Sequence, residues 1–161
     1  MPHRTSIDCE FNPFDPSLTG LLALGVTDDA NRSYYAINAD VDLRPLLDNA
    51  FLVEHVLPQL PVTVRRGATD VSATGVRGPL RRWWRRLRAG RASSIEWDTS
   101  HPHFQYVRPA RQIADDLEQF FHAPTELIAK YGAQDICRLH SLWGNDWATM
   151  PQAVPRYFTD I

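Results

Sequence analysis

A chain of 161 residues, 43% apolar and 22% charged, is long enough to enclose one sizeable core, and no apolar run in it approaches the roughly 20 residues of a membrane span. The formal charge of −2 conceals an uneven distribution: between Val62 and Ser93 nine Arg face the single acid Asp70, about +8, so the remainder carries about −10. Such an acidic body with a basic arm hints at binding to polyanions, which bound metals would help the body approach. Cys9 and Cys137 fall short of a disulfide framework or a thiolate zinc set, and the start Met1-Pro-His-Arg-Thr5 has no apolar leader. Free thiols and a cytoplasmic location are the expectation.

The first strand is expected over about Ser6 to Phe11, followed by a loop marked by Pro13, Pro16 and Gly20. A second apolar run covers Leu21 to Thr27, Asp28 to Asn31 makes a turn, and Ser33-Tyr-Tyr-Ala-Ile-Asn38 alternates as a strand. Residues 6–38 therefore predict a three-stranded antiparallel meander. Leu46, Leu47, Phe51, Val53, Val56 and Leu57 predict a helix from Pro45 to the break at Pro58. From 62 to about 107 periodicity fails and a mobile insertion is expected. Its exception is Gly78 to Gly90, where Leu80, Trp83, Trp84 and Leu87 form one stripe on a short basic helix. Pro109 then opens a helix with Ile113, Leu117, Phe120 and Phe121 inward. Glu126 to Tyr131 reads as a fourth strand, and a helix from Asp135 carries Ile136, Leu139, Leu142 and Trp143 inward until Gly144. A last short strand falls within Arg156 to Ile161. The pattern is α/β with a mixed sheet flanked by helices, in a single domain spanning 1–161.

Side chains two apart on a strand share a face, so Asp8 and Glu10 point outward together while Ile7, Cys9 and Phe11 point inward. Paired carboxylates repel unless a positive charge sits between them, and a divalent cation suits that place. A plain solvated face of a half-exposed strand is the other reading of the pair on the local pattern. Asp135 follows the fourth strand at the start of a helix, a position that projects over strand ends, although a helix N-terminus favours Asp on its own account.

Seven segments, taken in order and spacing, resemble the actinobacterial polyadenylate-specific 3′-exoribonuclease group of the DEDD (RNase T-like) exonucleases. They are Asp8-Cys9-Glu10-Phe11, Tyr34-Tyr35-Ala36, His55-Val-Leu-Pro-Gln-Leu-Pro61, Arg111-Gln-Ile-Ala-Asp-Asp-Leu117, Gly132-Ala-Gln-Asp135, Leu142-Trp-Gly144 and Val154-Pro-Arg-Tyr157. The resemblance covers most of the chain except 62–107. It implies an RNase H-like fold and hydrolysis of single-stranded RNA, adenine-rich in this group, from its 3′ end. It also implies a homodimer. Asp8 and Glu10 resemble the first acidic motif and Asp135 the second. The implied chemistry uses two Mg²⁺ or Mn²⁺ ions about 4 Å apart. Asp8 would bridge both, Glu10 would hold the one bearing the attacking hydroxide, and Asp135 would support the other through water. The resemblance also sets the backbone of Cys9 and Phe11 beside the terminal nucleotide, where both side chains otherwise read as core.

Members of the group continue past the strand resembling Tyr157 to Ile161 into a helix that carries a general-base His and a fourth Asp. This chain ends before that helix. Asp160 matches an ordinary strand residue, His101, His103 and Asp98 lie in the insertion, and His140 reads as a helix-face residue. The expectation is a rate lowered by about 10² to 10⁴ and one sheet face left uncovered. Two other readings stay open, a truncated fragment and a non-catalytic nucleic-acid-binding or scaffold domain. In the latter, Arg81, Arg82, Trp83, Trp84, Arg85 and Arg86 would grip single-stranded RNA by phosphate contact and base stacking. The same basic helix equally suits an anionic membrane surface, a protein groove, or simple packing against the domain.

Overall fold

The computed structural model describes residues 3–66, 92–121, 125–130 and 132–161. They form two compact units, Met1–Asp42 with His103–Ile161, and Leu43–Pro102.

The first unit is built on a six-stranded mixed sheet. Its strands are β1 (His3–Phe11), β2 (Leu21–Asp28), β3 (Ser33–Asn38), β6 (Val107–Arg108), β7 (Thr125–Ala129) and β8 (Phe158–Asp160), in the order β6-β3-β2-β1-β7-β8. The predicted meander is present, with β1, β2 and β3 antiparallel, while β7 runs parallel to β1, β8 to β7 and β6 to β3. The reversal after β2 is held by Asp28, whose buried carboxylate accepts the N–H groups of Ala30 and Arg32 and the Arg32 guanidinium. Between Glu10 and Phe11 the register slips so that Phe11 lies opposite Leu21, leaving Leu22 as a bulge on β2.

Strict alternation puts Thr5, Ile7 and Cys9 of β1 on the buried face and leaves Arg4, Ser6, Asp8 and Glu10 exposed. Two helices cover the buried face, α2 (Ala110–Phe120) and α3 (Ala133–Ser141), contributing Ile113, Leu117, Ile136 and Leu139 to a core with Leu24, Val26, Ala36, Leu127 and Phe121. Pro109 precedes α2 and has no capping side chain. Asp40 supplies the missing acceptor from elsewhere, its carboxylate taking the Ala110 N–H at 2.9 Å.

In the second unit the expected helix from Pro45 to Pro58 is broken. There α1 covers just Leu43–Leu46, and after two α-helical residues, Ala50 and Phe51, a π-helical turn at Leu52–Val56 runs into a 3₁₀ turn at Leu57–Gln59. The Asn49 side chain accepts the N–H groups of Phe51 and Leu52, which offers the backbone a local alternative to continuing the helix. The irregular insertion expected from residue 62 is also corrected at its ends. There β4 (Val62–Arg66) and β5 (Ala92–Trp97) pair antiparallel, from Val62 opposite Trp97 to Arg66 opposite Ala92. The basic helix over Gly78–Gly90, with Arg81, Arg82, Trp83, Trp84, Arg85 and Arg86, lies outside the described residues. Among those that are described, no helix is long and apolar enough to cross a membrane.

Gly132 makes the corner between β7 and α3 with a φ of −70° that any residue could adopt, so its constraint is steric. A Cβ there would stand 2.3 Å from the Ala129 Cβ and 2.9 Å from the Phe158 ring. Gly132→Ala should therefore destabilise the fold by about 1–3 kcal/mol, read as a lower urea midpoint. An unchanged midpoint would show that the corner yields without cost.

Candidate functional site

β7 pairs with β1 only over His3–Ser6, so beyond Ser6 the edge of β1 on that side lacks a partner strand. The chain leaves β7, turns at Gly132, and brings the first turn of α3 to the vacated edge. There Oδ1 of Asp135 accepts the Cys9 N–H at 2.8 Å, a bond between residues 126 apart in sequence. The Cys9 thiol in turn donates to the Asp135 carbonyl at 3.8 Å. Asp135 thus meets the backbone between Asp8 and Glu10, and the three predicted acids share one end of the sheet.

Their electrostatics show that proximity. Burial, then Asp8, then Asp135 raise the Glu10 carboxyl above its ordinary value. Burial raises Asp135 as well, with Asp8 adding to it and the Cys9 N–H opposing. Cys9 is pushed well up by burial and by Asp135 and Asp8, which keeps its thiol protonated and able to donate. The donor set is entirely carboxylate oxygen, the chemistry that hard divalent cations require, and a cation would relieve the repulsion that lifts these groups. Yet among the described residues no group of three or more His, Cys, Asp or Glu side chains is arranged to hold a metal ion. The trio shares a field without forming a cage, and one Asp135 oxygen is engaged by Cys9.

Phe11 is half-buried against the core as expected, and Cys9 is fully buried. One further neighbour was not legible in the sequence. Arg138, one turn after Asp135, is 1% exposed. Its guanidinium lies 4.7 Å over the Phe11 ring and donates to the carbonyls of Asn12 and Asp15, while Nε has no partner. Burial lowers its pKa, opposed chiefly by Asp15. An Arg in an amphipathic helix ordinarily reads as solvated; the signal was its i+3 spacing from Asp135, which sets both on one face.

His140, expected as a helix-face residue, lies in α3 on a buried face, donating Nε2–H to the Pro155 carbonyl at 2.8 Å. Burial holds it neutral by lowering its pKa. It lines a cavity of about 450 Å³ with Trp147, Arg156 and Tyr157 that includes none of the three acids. Asp160 is exposed in β8, and Asp98 is engaged in a local turn with Ser100.

No family model matches the chain, and no curated protein sequence matches it.

The Asp135 carboxylate has two separable effects, accepting a buried N–H and adding a negative charge. Asp135→Asn keeps an acceptor oxygen without the charge and should be as stable as the parent or more so. Asp135→Ala leaves the Cys9 N–H unpaired and should lose about 1–3 kcal/mol in denaturant melts. Equal stability of the two variants would remove the hydrogen bond from the account.

Glu10 supplies a pH test in metal-free buffer. A carboxyl raised on folding binds protons more tightly in the folded state, so stability falls as pH rises from the unfolded value, about 4.3, through the higher folded one. Glu10→Gln should then be more stable than the parent at pH 7 and indistinguishable from it below about pH 4. A difference that persists at low pH would exclude charge repulsion as its source.

Proposed function

We propose that this chain is a metal-dependent 3′-5′ exoribonuclease of the RNase H-like DEDD group, acting on single-stranded RNA ends. The observation that carries the reading is the delivery of Asp135 to the backbone between Asp8 and Glu10. The architecture supports it: an antiparallel meander extended on the β1 side by parallel strands, with helices in the crossovers, is the layout expected of an RNase H-like sheet.

Asp8, Glu10 and Asp135 would hold Mg²⁺ or Mn²⁺, which when bound supplies an activated water and offsets charge on the leaving oxygen of the phosphodiester. The rest falls to the protein. The Cys9 N–H fixes the orientation of Asp135 and favours its ionised form. The buried Cys9 side chain anchors β1 between the two outward acids, so that they diverge from a rigid strand rather than a loop. Arg138 clamps the chain just after Glu10 through the carbonyls of Asn12 and Asp15, which limits movement of the Glu10 backbone.

With Mn²⁺ or Mg²⁺ the protein should trim a 5′-labelled single-stranded RNA stepwise from its 3′ end, and Asp8→Asn should slow trimming at least about 100-fold. Either ion should also raise the thermal midpoint of the parent and not of Asp8→Asn. If parent and variant bind RNA equally and neither trims it, the acids are not catalytic and the protein is an RNA-binding module.

A further inference from the structure

On the face of the sheet that carries the acids, strand register aligns Asp8 on β1 with Gly25 on β2 and Tyr35 on β3, and Glu10 with Ala23 and Ile37, both buried, in the next row. The middle position of the first row has no side chain. A Cβ on Gly25 would meet only the Tyr35 ring within 4 Å, at 3.9 Å, so the floor between acid and aromatic is open. Two strand spacings separate Asp8 from Tyr35, about 10 Å. That is a span one nucleotide bridges from its phosphate to the far edge of its base.

The aromatic wall is itself built. Tyr106 stands edge-on to Tyr35 with ring centroids 5.4 Å apart and planes at 74°, and His103 stands 6.0 Å from Tyr106. The T-shaped contact steadies both tyrosines, yet Tyr35 remains 42% and Tyr106 38% exposed. Glu10 contributes to raising the Tyr35 phenol, behind burial and ahead of Tyr106, so the wall lies within the field of the acidic site.

We infer that Gly25, Tyr35 and Tyr106 form the subsite for the base of the 3′-terminal nucleotide, the glycine leaving room for the flat ring and the tyrosines stacking it. The identity of the ligand rests on the exonuclease reading. Held there, the terminal base would set its phosphodiester over Asp8 and Glu10. A tyrosine face accepts any base, so this subsite orients the nucleotide without reading sequence.

The test uses a short single-stranded RNA ending in 2-aminopurine, whose fluorescence is quenched by stacking, with Ca²⁺ replacing Mg²⁺ to keep the RNA intact. Wild type should quench the probe at the 3′ end and not the same probe placed several nucleotides inward. Tyr35→Leu should abolish the quench and weaken binding about 5- to 150-fold, the range carried by stacking one base, whereas Tyr35→Phe should retain both. Gly25→Val keeps the tyrosines and fills the floor with a residue that strands favour, and it should behave like Tyr35→Leu. Circular dichroism verifies that each variant is folded.

Unchanged quench and affinity in both Tyr35→Leu and Gly25→Val would overturn the subsite, as would absence of binding by the wild type. Terminal quenching that depends on Tyr35, without trimming under Mg²⁺, would uphold the subsite and reject the exonuclease. Normal trimming by Tyr35→Leu with unchanged KM would do the reverse.

Discussion

The bond from the Cys9 N–H to the Asp135 carboxylate organises the acidic end of this fold. It exists because β7 is short: the strand stops pairing at Ser6 and leaves the last part of β1 with an open edge. A buried N–H at such an edge is costly if left alone, and a carboxylate from the next helix is a strong acceptor for it. Backbone satisfaction therefore draws the helix N-terminus against β1, and the acid that satisfies it joins two others. Like charges gather where each alone would be more stable apart, a conflict typical of sites kept for function.

Strand β1 serves two purposes at once because its side chains alternate. Ile7 and Cys9 enter the core under α2 and α3, and that packing makes the strand rigid. Asp8 and Glu10 inherit the rigidity on the opposite face, in line with Gly25, Ala23, Tyr35 and Ile37 of the neighbouring strands. The core supplies the positional accuracy and the opposite face carries the acids. Arg138 joins the two layers, since a guanidinium 1% exposed ties helix α3 to the loop that follows the acids and stacks on Phe11. Its unpartnered Nε shows that the clamp is held at the expense of some polar satisfaction.

Where local chemistry and tertiary packing agreed, the sequence was readable. The strand Ser33–Asn38 has the bounds that its alternation predicts, and α2 buries Ile113 and Leu117 as its period requires. The failures have local causes. Apolar spacing over 45–58 suggested one helix, but Asn49 competes for the N–H groups of Phe51 and Leu52 and the chain changes helix type. β4 and β5 went unseen because their pairing partners lie some 30 residues apart and their polar alternation is weak. The two residues of β6 exist only as an edge beside β3, a position that no local pattern encodes.

Sequence alone determined which residues could carry chemistry. The two-residue period of a strand forces Asp8 and Glu10 onto one face, and helix-start signals set Asp135 at the head of α3. Only the tertiary structure decided that these groups meet. Their meeting depends on where β7 stops, on a Gly132 corner too tight for a Cβ, and on a hydrogen bond spanning 126 residues. It also decided that Gly25 and Tyr35 flank Asp8, because cross-strand neighbours are set by register, and register is a property of paired chains rather than of any one segment.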